Sequence, residues 1–314
     1  MNALITGVAG FIGSTLAAHL LEQGARVTGI DCFTDYYPRP LKEANVSRLQ
    51  AAPGFRFVES TIQAADLASI MAETTHVFHL AAQAGVRKSW GRDFTVYTVN
   101  NVEATQVLLE AAVGTRIERL VYASSSSVYG DDTELPMRET ALPAPLSPYG
   151  VTKLAAEHLC NLYHANHGVP CVSLRYFTVY GPHQRPDMAF NRFIRAALTG
   201  EPIALYGDGE QTRDFTFVAD AARATADAAS LGVPGRVYNI GGGSRVSVNQ
   251  VLDIIGRLAG HPLEARREGR QMGDMRDTYA DTTAARRDLR FSPTVTIEQG
   301  LRAEFDWLAA TSDA

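Results

Sequence analysis

Short apolar runs alternate with longer stretches of helical periodicity along this chain of 314 residues. The apolar run 2–6 precedes a glycine-rich turn, a helical stretch over 14–23 and a second apolar run, 25–30, that ends on Asp31. The runs FRFVES and HVFHLAAQAG predict a third and a fourth strand, and a long helix over 93–113 follows them. Strands that alternate with helices in this way predict an α/β fold with a parallel sheet.

The second half of the chain continues this alternation and then loses it. The apolar strand 120–123 and a helix over 149–167 precede a sixth strand, after which PHQRP, residues 182–186, breaks the pattern. We therefore predict a Rossmann-type, doubly wound parallel sheet and a smaller C-terminal α/β substrate domain. The expected domains are 1–177 plus about 214–241, and about 178–213 plus 242–314.

Three more elements are expected towards the C-terminus. RDFTFVADAARATADAA predicts a strand and a helix that return to the main sheet. Ser247 is placed to cap the next helix, and residues 297–309 predict a final amphipathic helix.

Composition excludes several classes of protein. The net charge of −5 and the pI near 5.9 show no basic excess, so nucleic acid is not an expected partner. No apolar run approaches the ~20 residues that span a bilayer, and the first residues already predict a strand, so neither a membrane segment nor a signal peptide is expected. Three cysteines without C-x-x-C spacing fit a reducing cytoplasm. The histidines show no metal-ligand spacing, so no metal is expected.

The first βαβ unit carries a dinucleotide-binding fingerprint. Gly7, Gly10 and Gly13 permit a tight turn and a close approach of the backbone to a pyrophosphate at a helix N-terminus. Asp31, at the end of the second strand, can accept hydrogen bonds from both ribose hydroxyls. The alternative is a glycine-rich turn without a ligand, which the strand–helix–strand context makes less favourable. Because a basic residue does not follow Asp31, NAD is favoured over NADP.

The exit of the fourth strand carries small residues and then arginines. Ala81, Ala82 and Gly85 would let a cofactor lie close to the strand end. Arg87 and Arg92 are either phosphate or sugar contacts or solvated surface.

Tyr149 and Lys153 lie four residues apart and therefore on one face of a helix. A phenol titrates near 10, and a cation beside it favours the phenolate, so Tyr149 can act as a base near neutral pH. A serine at the end of the preceding strand, within the run 124–127, could share the substrate proton. A Tyr-x-x-x-Lys spacing also arises by chance on helix surfaces, but this chain contains only three lysines.

Several of these stretches resemble one known family. GVAGFIG, HLAAQAGVR, SSSSVYG, YGVTK, RYFTVYGP and GEQTRDFTFV are similar to the extended short-chain dehydrogenase/reductase family of nucleotide-sugar epimerases and dehydratases. DYYPRPLK, QAGVRKSW and YFTVYGPHQRPDM look most like UDP-glucuronate 4-epimerases. The resemblance implies Tyr149 as base, Lys153 as its activator and ribose contact, and Ser125 as the catalytic hydroxyl. It also implies transient oxidation at sugar carbon 4 by bound NAD.

The same resemblance implies a set of cofactor contacts. One departure concerns the adenine, because the family usually places an acidic residue where this chain has Thr61. The expected NAD contacts are Gly7, Gly10, Phe11, Ile12, Gly13, Asp31, Cys32, Phe33, Thr61, Ile62, Leu80, Ala81, Ala82, Gln83, Asn101, Ser124, Tyr149, Lys153, Tyr176 and Thr178.

The substrate contacts follow from similarities and from departures. Dehydratases carry an Asp-Glu pair after the catalytic hydroxyl, and decarboxylases usually a Glu, where this chain has Ser126 and Ser127. Galactose epimerases have Asn where this chain has Thr178. Those three residues and Arg185 are expected to hold a glucuronate carboxylate, since hydroxyls and a guanidinium donate to it. Arg185 could instead be a surface residue or a pyrophosphate contact. The nucleotide is expected at Arg87, Arg192, Arg213, Gln271 and Asp274.

The favoured hypothesis is an NAD-dependent UDP-glucuronate 4-epimerase. The resemblance also implies a homodimer in which the helices over 93–113 and 149–167 pair with their symmetry mates. The alternatives are a UDP-glucose 4-epimerase, a UDP-glucuronate decarboxylase and, from another class, a non-catalytic NAD-binding scaffold.

Overall fold

Seven parallel strands form the central sheet of the computed structural model, which describes residues 1–269 and 271–312. With all strands numbered in chain order, they are β1 Asn2–Thr6, β2 Arg26–Asp31, β3 Phe55–Glu59, β4 His76–His79, β5 Arg119–Ser125, β6 Cys171–Tyr176 and β11 Val237–Ile240. Their order across the sheet is β11-β6-β5-β4-β1-β2-β3. The winding therefore reverses between β1 and β4, which confirms the Rossmann-type sheet and locates its ligand crevice there.

Helices cover both faces of this sheet. They are α1 Phe11–Glu22, α2 Arg39–Gln50, α3 Leu67–Glu73, α4 Phe94–Tyr97, α5 Ala104–Ala112, α6 Pro148–His167, α7 Ala189–Thr199, α8 Val218–Leu231, α9 Val248–Ala259, α10 Thr283–Leu289 and α11 Ile297–Ser312. Helices α1 and α8 share one apolar core with the sheet, and α3, α5 and α6 share the other. Among the described residues, no helix is both long and apolar enough to cross a membrane.

The long helix expected over 93–113 is interrupted. A π-helical stretch, Thr98–Glu103, separates α4 from α5. Asn101, within it, is buried, and its Oδ1 accepts the Gln83 N–H at 2.7 Å while its Nδ2 donates to Thr152 Oγ1 at 2.9 Å. The amide therefore joins the exit of β4 to helix α6.

Local sequence fixes the start of α6 beside the end of β5. Ser147 caps the helix by accepting the Gly150 N–H at 3.1 Å, and Pro148 occupies the first turn, where a missing N–H is harmless. A Cβ at Gly150 would lie 2.5 Å from the Ser127 carbonyl oxygen. Glycine at this position lets the helix approach the turn that follows β5.

Three two-stranded sheets lie outside the central sheet. They pair β7 Val179–Tyr180 with β10 Thr216–Phe217, β8 Ile203–Tyr206 with β13 Ala265–Glu268, and β9 Thr212–Asp214 with β12 Arg245–Ser247. The expectation that the strand of RDFTF returns to the main sheet was therefore wrong, because its two short strands pair with β12 and β7. Only the helix that follows them, α8, packs on the main sheet.

A separate apolar core lies among α7, α9 and α11. Ser247 caps α9, as predicted, by accepting the Gln250 N–H at 3.2 Å. The separate core supports the proposed division into two domains, which stays a prediction.

A buried ion pair ties α6 to the two strands behind it. Arg175 of β6 donates from Nε and Nη2 to the two carboxylate oxygens of Glu157, at 3.1 and 2.6 Å, and both side chains are buried. Ser124, at the end of β5, donates its hydroxyl to the same carboxylate at 2.6 Å. Breaking one partner of such a pair leaves an uncompensated charge in the interior.

We predict that Glu157→Leu lowers the free energy of unfolding by about 3–5 kcal/mol, because Arg175 is left buried and unpaired. The double variant Glu157→Leu/Arg175→Met should lose clearly less, since no charge remains inside. Urea unfolding at one fixed protein concentration measures both. A double variant as unstable as the single one would contradict the argument.

Candidate active site

The glycine turn between β1 and α1 brings backbone, not side chains, to the crevice. Gly7 has a φ of +74°, and a Cβ there would lie 2.7 Å from the Ala81 nitrogen. A Cβ at Gly13 would lie 2.2 Å from the Gly7 carbonyl oxygen. Gly10 precedes α1 without a side-chain cap. The packed turn leads into a helix N-terminus, which suits a pyrophosphate.

Asp31 is held at the end of β2 by two backbone groups. Its Oδ2 accepts the Ala9 N–H at 3.1 Å and its Oδ1 accepts the Phe33 N–H at 2.9 Å. Burial raises the pKa of Asp31, and those bonds and the charge of Lys42 partly offset the rise. Lys42 and Asp31 line the same cavity at this crevice, and Lys42 donates to the Thr34 carbonyl. The sequence analysis did not identify Lys42, which lies 11 residues after Asp31 and enters the cavity only through the position of α2.

Most predicted NAD contacts line one cavity. These are Gly7, Gly10, Phe11, Ile12, Gly13, Asp31, Cys32, Thr61, Ile62, Leu80, Ala81, Ala82, Gln83, Ser124, Tyr149, Lys153 and Tyr176. The cavity also includes residues that the sequence analysis missed, namely Thr34, Tyr36, Tyr37, Lys42, Ser60, Gln63, Ala84 and Asn100.

Three predicted NAD contacts are placed differently. The ring of Phe33 belongs to an apolar cluster and lies 5.4 Å from Phe57, so only its backbone acts at the site. The side-chain amide of Asn101 is engaged with Gln83 and Thr152. The carbonyl of Thr178 accepts the backbone N–H of Thr216 at 3.0 Å, where β7 begins. None of the three lines the cavity.

The cavity is lined by two of the three residues proposed for catalysis, Tyr149 and Lys153, while Ser125 follows the lining residue Ser124 in the chain and does not line it. Burial raises the pKa of Tyr149, although the neighbouring Ser125 hydroxyl and the charge of Arg185 partly offset the rise. Lys153 is buried, and its Nζ lies 4.6 Å from the centre of the Tyr122 ring. Burial lowers the pKa of Lys153 to about 7. The sequence analysis predicted that a cation would lower the tyrosine pKa, but in this structure burial outweighs the charges around the phenol.

Of the four residues proposed to bind a carboxylate, only Arg185 lines the cavity, together with Tyr149 and Lys153. Ser126 is buried, and Ser127 donates its backbone N–H to Ser125 Oγ at 3.1 Å. Ser126, Ser127 and Thr178 do not line the cavity, although Ser126 and Ser127 follow Ser124, which does.

A second cavity is lined by three of the five residues predicted for the nucleotide. Arg213, Gln271 and Asp274 line it with Tyr206. Arg87 donates to Asp274 at 2.7 Å and its guanidinium lies 4.2 Å over the Tyr206 ring.

Arg87 and Arg192 do not line this cavity, but both lie near the ring of Tyr206, which does. The guanidinium of Arg192 lies 5.9 Å from the Tyr206 ring. Arg213 donates to the carbonyls of Met275 and Arg276 at 2.6 and 2.9 Å. Tyr206 was missed, since an aromatic residue before a glycine turn carries no specific signal. Arginines around an aromatic ring suit an anionic nucleotide.

In the described part of the chain, no group of three or more His, Cys, Asp or Glu residues could hold a metal ion.

These observations define a dinucleotide-binding enzyme of the Rossmann class with a serine–tyrosine–lysine centre. The chain belongs to the NAD dependent epimerase/dehydratase family, whose model matches residues 3–241. This confirms the resemblance to nucleotide-sugar epimerases and dehydratases.

Individual relatives are similar over their whole length. The UDP-glucuronate 4-epimerase of Thermodesulfobacterium geofontis is 38% identical over 97% of this chain and 95% of its own. An uncharacterized UDP-glucose epimerase of Bacillus subtilis, YtcB, is 42% identical over 99% of this chain and 98% of its own. A crystal structure of the UDP-glucuronic acid 4-epimerase from Bacillus cereus, in complex with UDP-glucuronic acid and NAD, is 43% identical. It covers 99% of this chain and 100% of its own, with a TM-score of 0.96.

Proposed function

We propose that this protein is an NAD-dependent UDP-glucuronate 4-epimerase that interconverts UDP-glucuronate and UDP-galacturonate. The observation that carries the proposal is the position of Arg185, which lines the same cavity as Tyr149 and is close enough for its charge to lower the tyrosine pKa. A cation beside the base suits a sugar that carries a carboxylate next to the reacting carbon. The B. cereus relative with UDP-glucuronic acid and NAD supports the same assignment.

The residues of the first cavity fit NAD. Backbone at Gly7 and Gly13 leaves no room for a Cβ, so the turn is shaped for close approach of a ligand to the main chain. Asp31 would hold the adenosine ribose, and Ala81 would face the dinucleotide at the exit of β4. Lys153 would donate to the nicotinamide ribose. When bound, NAD supplies the acceptor that takes hydride from sugar carbon 4 and returns it to the other face.

Tyr149 is placed to remove the proton of the sugar 4-hydroxyl. The neighbouring Ser125 hydroxyl, at the end of β5, would give that proton a second oxygen to share. Lys153 can change its charge near neutral pH, because burial has lowered its pKa to about 7. Because burial raises the pKa of Tyr149 and lowers that of Lys153, removing the tyrosine proton is costly in the free site, so the proposed base role depends on the charges that bound ligands bring.

The carboxylate needs a fixed orientation. Oxidation at carbon 4 makes the sugar a β-keto acid, which loses carbon dioxide when the bond to its carboxylate aligns with the ketone. Arg185 would hold the carboxylate out of that alignment, with Ser126, Ser127 and Thr178 as neutral donors at the same end. This is preorganised electrostatics used against a side reaction.

The second cavity would hold the uridine diphosphate, with Arg87, Arg192 and Arg213 near the phosphates and the ring of Tyr206 against the face of the uracil.

A cytoplasmic location is also part of the proposal. It is supported by the three free cysteines, Cys32, Cys160 and Cys171.

A homodimer is also part of the proposal. Apolar side chains are exposed on the helices expected to pair with their symmetry mates, with 45% of Val96, 48% of Val151 and 56% of Leu162 accessible. An apolar face of this kind on two adjacent helices suits an isologous contact.

We expect the protein to convert UDP-glucuronate to UDP-galacturonate and also to catalyse the reverse reaction. Starting from either sugar, NMR should show the same equilibrium mixture. With UDP-glucose, kcat/KM should be at least about tenfold lower, because the charge-assisted contact of Arg185 is lost. Equal or faster turnover of UDP-glucose would favour the name of the B. subtilis relative instead. A pentose nucleotide as main product would indicate a decarboxylase.

Tyr149→Phe should lower kcat by about a hundredfold to ten-thousandfold while NAD still binds, since a general base is removed and the ring is kept. Tyr163→Phe is the matched control on the same helix, where the phenol contacts Glu110 and Gln106 outside the cavity. Steady-state rates and NAD titration measure both variants. Comparable rates for the two variants would exclude Tyr149 as the base.

We predict that the parent protein sediments as a dimer and that Val151→Arg sediments as a monomer, because charge is placed in the contact between α6 helices. Leu142→Arg is the control, since Leu142 is 86% exposed outside these helices. Sedimentation velocity distinguishes the species. A monomeric parent, or a Val151→Arg dimer, would refute this interface.

A further inference from the structure

Arg185 does not enter the cavity as a lone charge. Its Nε and Nη2 donate to the two carboxylate oxygens of Asp187 at 2.9 and 3.0 Å. Burial lowers the pKa of Arg185, but the hydrogen bonds and the charge of Asp187, with Tyr36 and Tyr37, together outweigh burial and raise it. The same hydrogen bonds hold the pKa of Asp187 below its usual range against the effect of burial. The pair is therefore ionised, and one edge of the guanidinium is already occupied.

Asp187 also contacts the loop between β2 and α2. The hydroxyl of Tyr36, in that loop, donates to Asp187 Oδ2 at 3.3 Å. A Cβ at Gly85 would lie 2.1 Å from the same phenol oxygen, so the phenol rests on the backbone at the exit of β4. Lys88 Nζ lies 4.9 Å from the centre of the Tyr36 ring. Both Tyr36 and Arg185 line the dinucleotide cavity.

We propose that Asp187 is a positioning residue that sets product specificity and cofactor retention together. It fixes the guanidinium of Arg185, so that only the Nη1 edge is free to face a ligand. Through Tyr36 it fastens the β2–α2 loop along the dinucleotide cavity. The first part rests on the function proposed above, and the second does not.

The chemical consequence concerns the 4-keto acid. A guanidinium held by Nε and Nη2 cannot rotate about its long axis, so a carboxylate bound to its Nη1 edge keeps one orientation. Without Asp187 the arginine and the carboxylate can turn together. Alignment then permits the bond between carbon 5 and the carboxyl carbon to break. Its electron pair forms the enolate of the ketone, carbon dioxide leaves, and water protonates carbon 5. Return of the hydride that was removed from carbon 4 then converts the 4-ketone to the pentose nucleotide.

The charges around the pair predict how variants differ. Arg185→Ala leaves the Asp187 carboxylate facing the carboxylate of the substrate, so repulsion is added to the lost contact. Arg185→Ala/Asp187→Asn removes that repulsion. The double variant should therefore bind UDP-glucuronate more tightly than Arg185→Ala alone, although more weakly than the parent.

The experiment compares Asp187→Asn and Tyr36→Phe with the parent. For Asp187→Asn we expect the ratio of pentose nucleotide to epimer, by NMR, to rise about tenfold, as expected when a charge-assisted bond is lost. For Tyr36→Phe we expect that ratio to stay within about twofold. NAD release into excess buffer, followed by gel filtration and absorbance, should be about threefold faster in both variants, since each loses or weakens the long, 3.3 Å hydrogen bond between Tyr36 and Asp187.

Glu43→Gln is the matched control. It changes an acid to an amide at an exposed arginine pair, with Arg39, outside both cavities. It should leave product ratio and NAD release at parental values. Asp187→Glu keeps the charge but moves the guanidinium, so it should raise the pentose fraction less than Asp187→Asn. It also serves as the test variant should Asp187→Asn not fold.

The outcomes separate the two proposals. Parental product ratio and parental NAD release in the folded Asp187 variants overturn the role of Asp187. Binding of UDP-glucuronate that is no tighter in the double variant than in Arg185→Ala overturns the charge argument. If the parent does not act on UDP-glucuronate, the proposed function fails, while faster NAD release from Tyr36→Phe and Asp187→Asn still supports the link between Asp187 and the loop.

Discussion

The position of the active site depends on one buried carboxylate, Glu157. It lies four residues after Lys153 and eight after Tyr149, so all three share one face of α6. Its bonds to Arg175 and Ser124 fix that face against β6 and β5. Replacement of a buried ion pair by apolar residues is often neutral or stabilising, so net stability alone does not account for this one. We infer that its value lies in placement, because Ser124 is adjacent in the chain to Ser125, the proposed catalytic hydroxyl.

That placement buries Lys153 and partly buries Tyr149, and burial of the Lys153 charge lowers the stability of the folded protein. Burial lowers the pKa of Lys153 from its usual 10.5 to about 7. Because the folded pKa lies below the unfolded one, the buried charge destabilises the protein fully below about pH 7, and the cost is relieved as the pH rises above that value. Burial raises the pKa of Tyr149 at the same time. Both shifts favour the neutral forms, the protonated phenol of Tyr149 and the unprotonated amine of Lys153. The charges of bound ligands can then change these protonation states.

The sequence could predict the elements that depend on local pattern. The glycine turn, Asp31 and the face of α6 follow from spacing within one βαβ unit or one helix. It could not predict Tyr36, Lys42 or Tyr206, since these reach the cavities through the packing of loops and helices that spacing does not encode. The π-helical turn at Asn101 was missed for the same reason. The predicted pairing of the two short strands near Thr216 was wrong. Strands of two or three residues are too short for an alternating pattern that would indicate which strand they pair with.

If this cavity holds an acidic sugar, as proposed, the pairing of Arg185 with Asp187 explains how the site can exist before the sugar arrives. A lone guanidinium at this depth would carry a desolvation penalty, which Asp187 offsets. The pairing also weakens the attraction for an anion, because the pair has no net charge. Recognition of a carboxylate must then depend on the direction of the free N–H groups more than on charge. A neutral sugar would be disfavoured because it leaves the N–H donors on the Nη1 edge of Arg185 without an acceptor. An acidic sugar would be held in the one orientation that lets its carboxylate accept from that edge.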